Sequence, residues 1–131
     1  MNGIKVGDIV RKKKNKEILV YSGMFRPNVD GLGGHDYCCY TFQNEFQRKW
    51  LPENDFEIIL ERFDEPTFIV GDKVYLRSVL TSNFTITHIG KGENNLVIVD
   101  VSFLITKSGM IYQKPEYNLP ALMFDYRTKL S

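Results

Sequence analysis

Apolar and polar positions alternate along most of this chain with a period of two, in short runs separated by clusters of Gly, Pro, Asn and Asp. Val74 and Leu76 alternate with Lys73, Tyr75 and Arg77, and Val97, Val99, Val101 and Phe103 share one face of the long β-favouring run 96–105. Further runs of this type fall at 17–21, 37–42, 46–50, 84–89 and 110–113. No long stretch has helical periodicity, so the pattern predicts an all-β chain.

The punctuation between the runs is written twice. Val6-Gly7-Asp8-Ile9-Val10 returns as Val70-Gly71-Asp72-Lys73-Val74. In each, glycine can take positive φ and the following aspartate can accept a nearby backbone amide, which makes a turn that launches a strand. Leu51-Pro52-Glu53-Asn54-Asp55-Phe56 returns as Leu119-Pro120-Ala121-Leu122-Met123-Phe124. Proline there opens a short helical turn, and the flanking Leu and Phe plug a core from its two sides. Two modules are expected, 1–62 and 67–131, with about five strands each. The joining stretch 60–66 is too short and too poor in Gly and Ser for a free tether, so the modules pack together. In this alignment Phe103 takes the place of Phe42. The copies differ most at 25–36, which carries Pro27, Asn28, Asp30 and three glycines and reads as a long loop, a place to look for function.

Five short strands with a helical turn before the last is the plan of an SH3-like barrel, so the fold expected is two tandem SH3-like small barrels. The Val-Gly-Asp openings, each followed by a hairpin, a strand and a Leu-Pro closing turn, resemble the small uncharacterised bacterial YodC-like proteins. That resemblance implies SH3-like modules and assigns no ligand. Those proteins have one module and no insertion like 25–36. The opening is also similar to that of other SH3-like modules, including the nucleic-acid-binding KOW type.

Composition adjusts this picture little. Of 131 residues, 43% are hydrophobic and 25% charged, a globular mixture, and 17 basic against 16 acidic residues give a net charge of +1. Such a chain has no global field to draw in nucleic acid or an anionic membrane. No apolar run spans a bilayer and no secretory leader is evident, so the expectation is a cytoplasmic protein. The two cysteines, Cys38 and Cys39, are adjacent and on a strand would point to opposite faces, which suits neither a disulfide framework nor a shared metal.

Chemistry for catalysis is sparse. His35 and His88 lie in no ligand-spaced set, His35-Asp36-Tyr37-Cys38 lacks a visible activating partner, and Gly31-Leu32-Gly33-Gly34 precedes a strand rather than the helix a phosphate cradle needs. The chain therefore reads as a non-catalytic binding protein without metal or cofactor, recognising a protein or peptide partner. Tyr40, Trp50 and Tyr75 are the aromatic candidates for a shared binding surface. The alternative is nucleic-acid binding through the basic run 11–16, with Arg11, Lys12 and Lys13, joined by Arg48; the competing account of that run is a solvated hairpin tip. Exposed edge strands leave both a monomer and a homodimer open.

Overall fold

The computed structural model describes residues 3–28, 33–43, 45–62 and 64–128. The first half holds β1 (Ile9–Lys12), β2 (Ile18–Pro27), β3 (His35–Phe42), β4 (Phe46–Pro52) and β5 (Phe56–Leu60). The second holds β6 (Lys73–Leu76), β7 (Phe84–Lys91), β8 (Val97–Lys107), β9 (Met110–Pro120) and β10 (Phe124–Thr128). Each half is one antiparallel five-stranded sheet, in the order β4-β3-β2-β1-β5 and β9-β8-β7-β6-β10. The two orders are the same topology. Both sheets are open, since the strands at the two ends of each order do not pair with one another.

The repeated turn is repeated bond for bond. Asp8 Oδ2 accepts the Lys5 amide at 2.8 Å, and Asp72 Oδ2 accepts the Ile69 amide at 2.9 Å. The Gly7 and Gly71 amides donate to the Tyr21 and Ile86 carbonyls, both at 2.8 Å, and φ at the two glycines is +90° and +98°. A side chain at either position would be held in the left-handed region, which favours glycine. Each Asp is almost wholly buried, so its bonds to the turn replace the water it loses.

The Leu-Pro anchors also form matching elements. Pro52 and Pro120 lead into one-turn 3-10 helices, Glu53–Asp55 and Ala121–Met123, each ended by a fully buried phenylalanine, Phe56 or Phe124. The turns then diverge. Asn54 and Asp55 face water and Glu53 is half-buried, whereas Ala121, Leu122 and Met123 are all buried. The cause is the packing of the halves: Leu122 lies against Gly7, where an added Cβ would sit 2.6 Å from the Leu122 carbonyl oxygen.

Alternation explains how the sheets meet. One face of the first sheet forms its own cluster, with Val10, Leu19, Tyr21, Cys39 and Phe56. The opposite face, with Ile9, Val20, Cys38 and Tyr40, enters a larger cluster with Val74, Phe84, Val101, Phe103 and Phe124 of the second half. Phe42 and Phe46 lock this junction, their rings 5.2 and 5.6 Å from Phe84 and 5.3 and 6.4 Å from Phe103. Such aromatic pairs add to area burial when offset or edge-on. Arg77 ties the seam from outside, donating to the carbonyls of Gly7 and, at 3.3 Å, Glu61, while the Ser78 hydroxyl donates to the Tyr40 carbonyl at 3.2 Å.

Three sequence expectations change. The long loop 25–36 is shorter: residues 25–27 belong to β2, pairing with Tyr37, Asp36 and His35, so the connection is 28–34, of which 29–32 lie outside the described residues. A bulge between Tyr21 and Phe25, containing Gly23, lets the hairpin continue beyond the turn-rich composition that suggested a loop. Of the stretch 31–34 considered for a phosphate cradle, 31 and 32 lie outside the described residues, and Gly33 and Gly34 lead into a strand, not a helix. Next, Tyr40 and Ser102 face equivalent partners in β2 and β7, so Phe42 aligns with Leu104 and Phe103 with Thr41. The slip of one residue moves a phenylalanine from one face to the other. Finally, the first strand of the second module, expected over 68–76, begins only at Lys73, because 69–72 forms the turn itself.

Candidate partner-binding site

Strands β3 and β4 bring three of the sequence candidates onto one face. Cys38 pairs with Trp50 and Tyr40 with Arg48, so Tyr40, Arg48 and Trp50 project from the face that also meets the second half. Tyr40 is only 6% exposed, its ring 4.9 Å from Phe46, and burial raises its hydroxyl pKa; the Arg48 side chain donates a hydrogen bond to it and opposes that rise. Arg48 itself is exposed, and among the described residues no carboxylate lies within 4 Å of its guanidinium. Trp50 is half-buried at the margin of the shared core.

Arg26 completes the group; it lies in the stretch 25–36 marked as a place to look for function, but the sequence read that stretch as loop and did not single out this residue. Its guanidinium carbon lies 4.1 Å from the Trp50 ring centre, a cation–π stack. Its Nε faces the carboxylate of Asp36 at 3.6 Å, beyond hydrogen-bond range. Arg26 Nε and Asp36 Oδ1 are buried and find no hydrogen-bond partner among the described residues. Stacking on the indole thus holds the arginine flat and short of full contact with its acid. Beside this group runs the outer edge of β4, the last strand of its sheet, whose backbone has no strand partner on that side.

The other candidates lie elsewhere. Tyr75 is on β6 in the second half, half-buried opposite Asp125, with the Arg127 guanidinium carbon 5.1 Å from its ring. Tyr40, Trp50 and Tyr75 therefore do not form one exposed aromatic surface: alternation turns Tyr40 into the junction, and Tyr75 belongs to the other sheet. Arg11 is paired across the β1–β5 ladder with Glu57 at 2.6 Å, which holds that carboxyl below its usual pKa. Lys12 is half-buried, and Lys13 with Lys14 forms an exposed turn closed by Lys16.

Groups suited to catalysis are scattered. Cys38 and Cys39 are both fully buried free thiols whose pKa burial pushes up, so neither is a ready nucleophile. His88 is 3.9 Å from Asp100 on an exposed face. Among the described residues no group of three or more His, Cys, Asp or Glu is placed to hold a metal ion. The cleft between the halves, about 440 Å³, has Glu17, Lys49, Thr41 and Ser78 on its walls, and its two charges satisfy each other at 2.9 Å. No helix among the described residues is long and apolar enough to cross a membrane.

A second feature escaped sequence reading. Beyond Ser102, β8 leaves β7 and pairs with β9 alone, forming an arm on which Leu104, Met110, Ile111 and Tyr112 are exposed. Large apolar side chains in neighbouring cross-strand positions would have marked it. No family model, curated protein or solved structure matches this chain.

Proposed function

We propose that this chain is a non-catalytic interaction protein, a tandem pair of SH3-like modules that binds a protein or peptide partner along β4. The observation that carries the reading is the Arg26–Trp50 stack beside an unpaired strand edge. Trp and Arg supply much of the energy in protein interfaces because each covers a large area with few rotamers to lose or a rigid donor fork. An edge strand supplies backbone donors and acceptors for an added strand, and the side chains beside it supply selectivity. In this arrangement Trp50 gives contact area, Arg26 and Arg48 give polar anchoring, and Tyr40 supports Arg48 from beneath.

The identical strand order of the halves and the repeated turn support the SH3-like assignment and the likeness to YodC-like modules. Two reduced, buried thiols fit a cytoplasmic protein. The basic run ranks lower as a contact surface, since Arg11 is neutralised by Glu57 within the ladder. The test is selection of a displayed random peptide library on the immobilised protein, with a labelled single-stranded DNA oligonucleotide as a parallel ligand. Enriched peptides should lose about tenfold or more in affinity with Trp50→Ala. Peptides that bind Trp50→Ala equally, or DNA binding abolished by neutralising Lys12, Lys13 and Lys14, would overturn the reading.

A further inference from the structure

The chemistry of the partner can be narrowed, on the premise that β4 is the docking edge. Its sequence, Phe46-Gln47-Arg48-Lys49-Trp50-Leu51-Pro52, carries two cations and no acid. Lys49 projects from the opposite face of β4, into the cleft between the halves, and is held by both oxygens of Glu17, at 2.9 Å each. Arg48 points the other way and has no carboxylate in contact among the described residues. Glu116 of β9 is an acid whose charge acts on it, and burial raises the pKa of Glu116 itself, which Arg48 opposes. Arg26 lies on the same face, two cross-strand steps away, stacked on Trp50 and only loosely matched by Asp36. The cationic and aromatic groups on this face of β4 are thus matched only in part, by Glu116 near Arg48 and by Asp36 beside Arg26.

We propose that the β4 edge accepts an extended acidic peptide, which adds to the first sheet as a further strand and directs carboxylates toward Arg48 and Arg26. Side chains on an added strand alternate in direction, so every second residue reaches the face of Trp50 and Arg48. Acids at those alternate positions meet Arg48 directly and the outer guanidinium nitrogens of Arg26. The incoming carboxylate then supplies the charge match that Asp36, at 3.6 Å from Nε, leaves incomplete.

Trp50 is the chain's one tryptophan, so its fluorescence reports on this site alone. The experiment titrates the protein with three capped heptapeptides of alternating Val with Glu, Gln or Lys, and with a single-stranded DNA oligonucleotide. The Glu peptide should give a saturable change, with the Gln peptide about tenfold weaker and the Lys peptide weaker still. Arg48→Gln should erase most of the difference between the Glu and Gln peptides, and Arg48→Glu should turn the preference toward the Lys peptide. Equal binding of the Glu and Gln peptides would overturn the acidic preference and leave peptide binding standing. No response to any peptide would overturn both. DNA binding tighter than the Glu peptide, or a fluorescence change with protein concentration alone that marks self-association at this edge, would also contradict the proposal. Arg48 is exposed, so its variants should keep the native circular dichroism spectrum.

Discussion

At the residue scale, the repeated turn is the most constrained feature. Gly7 combines φ of +90° with a Cβ direction that ends 2.6 Å from the Leu122 carbonyl oxygen, where backbone rather than a flexible side chain must yield. Gly7→Ala should therefore cost roughly 2 kcal/mol or more, read as a lower urea midpoint. Buried hydroxyl and thiol groups set a second expectation. Burial raises the pKa of Cys39 above 9.0 and of Tyr21 above 10.0, so in both cases the unfolded chain ionises first. Stability from these groups is fully present below pH about 9 and is lost as pH rises beyond it. Urea midpoints from pH 7 to 11 should be flat and then fall. A rise above pH 9 would contradict the assignment of these groups as buried and neutral.

At the element scale, the two copies are one pattern with opposite outer faces. Matching register places Ile9 against Lys73, Val20 against Thr85, Cys38 against Asp100, Tyr40 against Ser102 and Phe46 against Gln113. These five apolar positions of the first sheet's face are polar in the second, whereas Phe42 of the same face matches the exposed Leu104. There the polar groups serve one another, Lys73 donating to Thr85 at 2.6 Å and Gln113 to Ser102 at 3.0 Å. The first face meets the second half, and the second face meets water. A capping repeat ends a solenoid in the same way. The 3-10 turns carry the same asymmetry, so Leu122→Asn should destabilise by about 3 kcal/mol, while Asn54→Leu at the equivalent exposed place should stay within about 0.5 kcal/mol. Thermal denaturation of the pair measures this. Equal effects would mean that the turns are not asymmetrically buried.

The all-β class, the two-module repeat and both anchors were legible in the sequence because they depend on local chemistry: alternation, glycine at positive φ, aspartate in a turn, proline opening a turn. Which face of the first sheet meets the second half was harder. Tyr37, Cys38, Cys39 and Tyr40 are all buried, so β3 is apolar on both sides and alternation cannot rank its faces. That same run without a polar position was nonetheless the signal of a strand covered twice. Arg26 was hidden for another reason: its neighbours Pro27 and Asn28 read as loop, and only the bulge at Gly23 carries β2 as far as Pro27.

At the scale of the whole molecule, the two sheets share one principal core, and its centre is aromatic. Phe84, 1% exposed, touches Phe42 and Phe46 of the first half and Phe103 and Phe124 of the second. Phe84→Ala should cost about 3–5 kcal/mol. Because Trp50 lies in the other half, its fluorescence should shift to the same lower urea midpoint as the far-ultraviolet circular dichroism. A Trp50 transition that stayed at the wild-type midpoint would mean that the halves unfold independently.

The central claim is that the free edge of β4, next to Trp50, is where a partner adds. Amide hydrogen exchange with and without the alternating Glu-Val heptapeptide tests it most directly. The account predicts that binding slows exchange at outward-facing amides within Phe46–Pro52 and leaves β9 and β5 unchanged. Protection confined to the apolar arm of β8 and β9, or to the basic turn after Lys12, would contradict it.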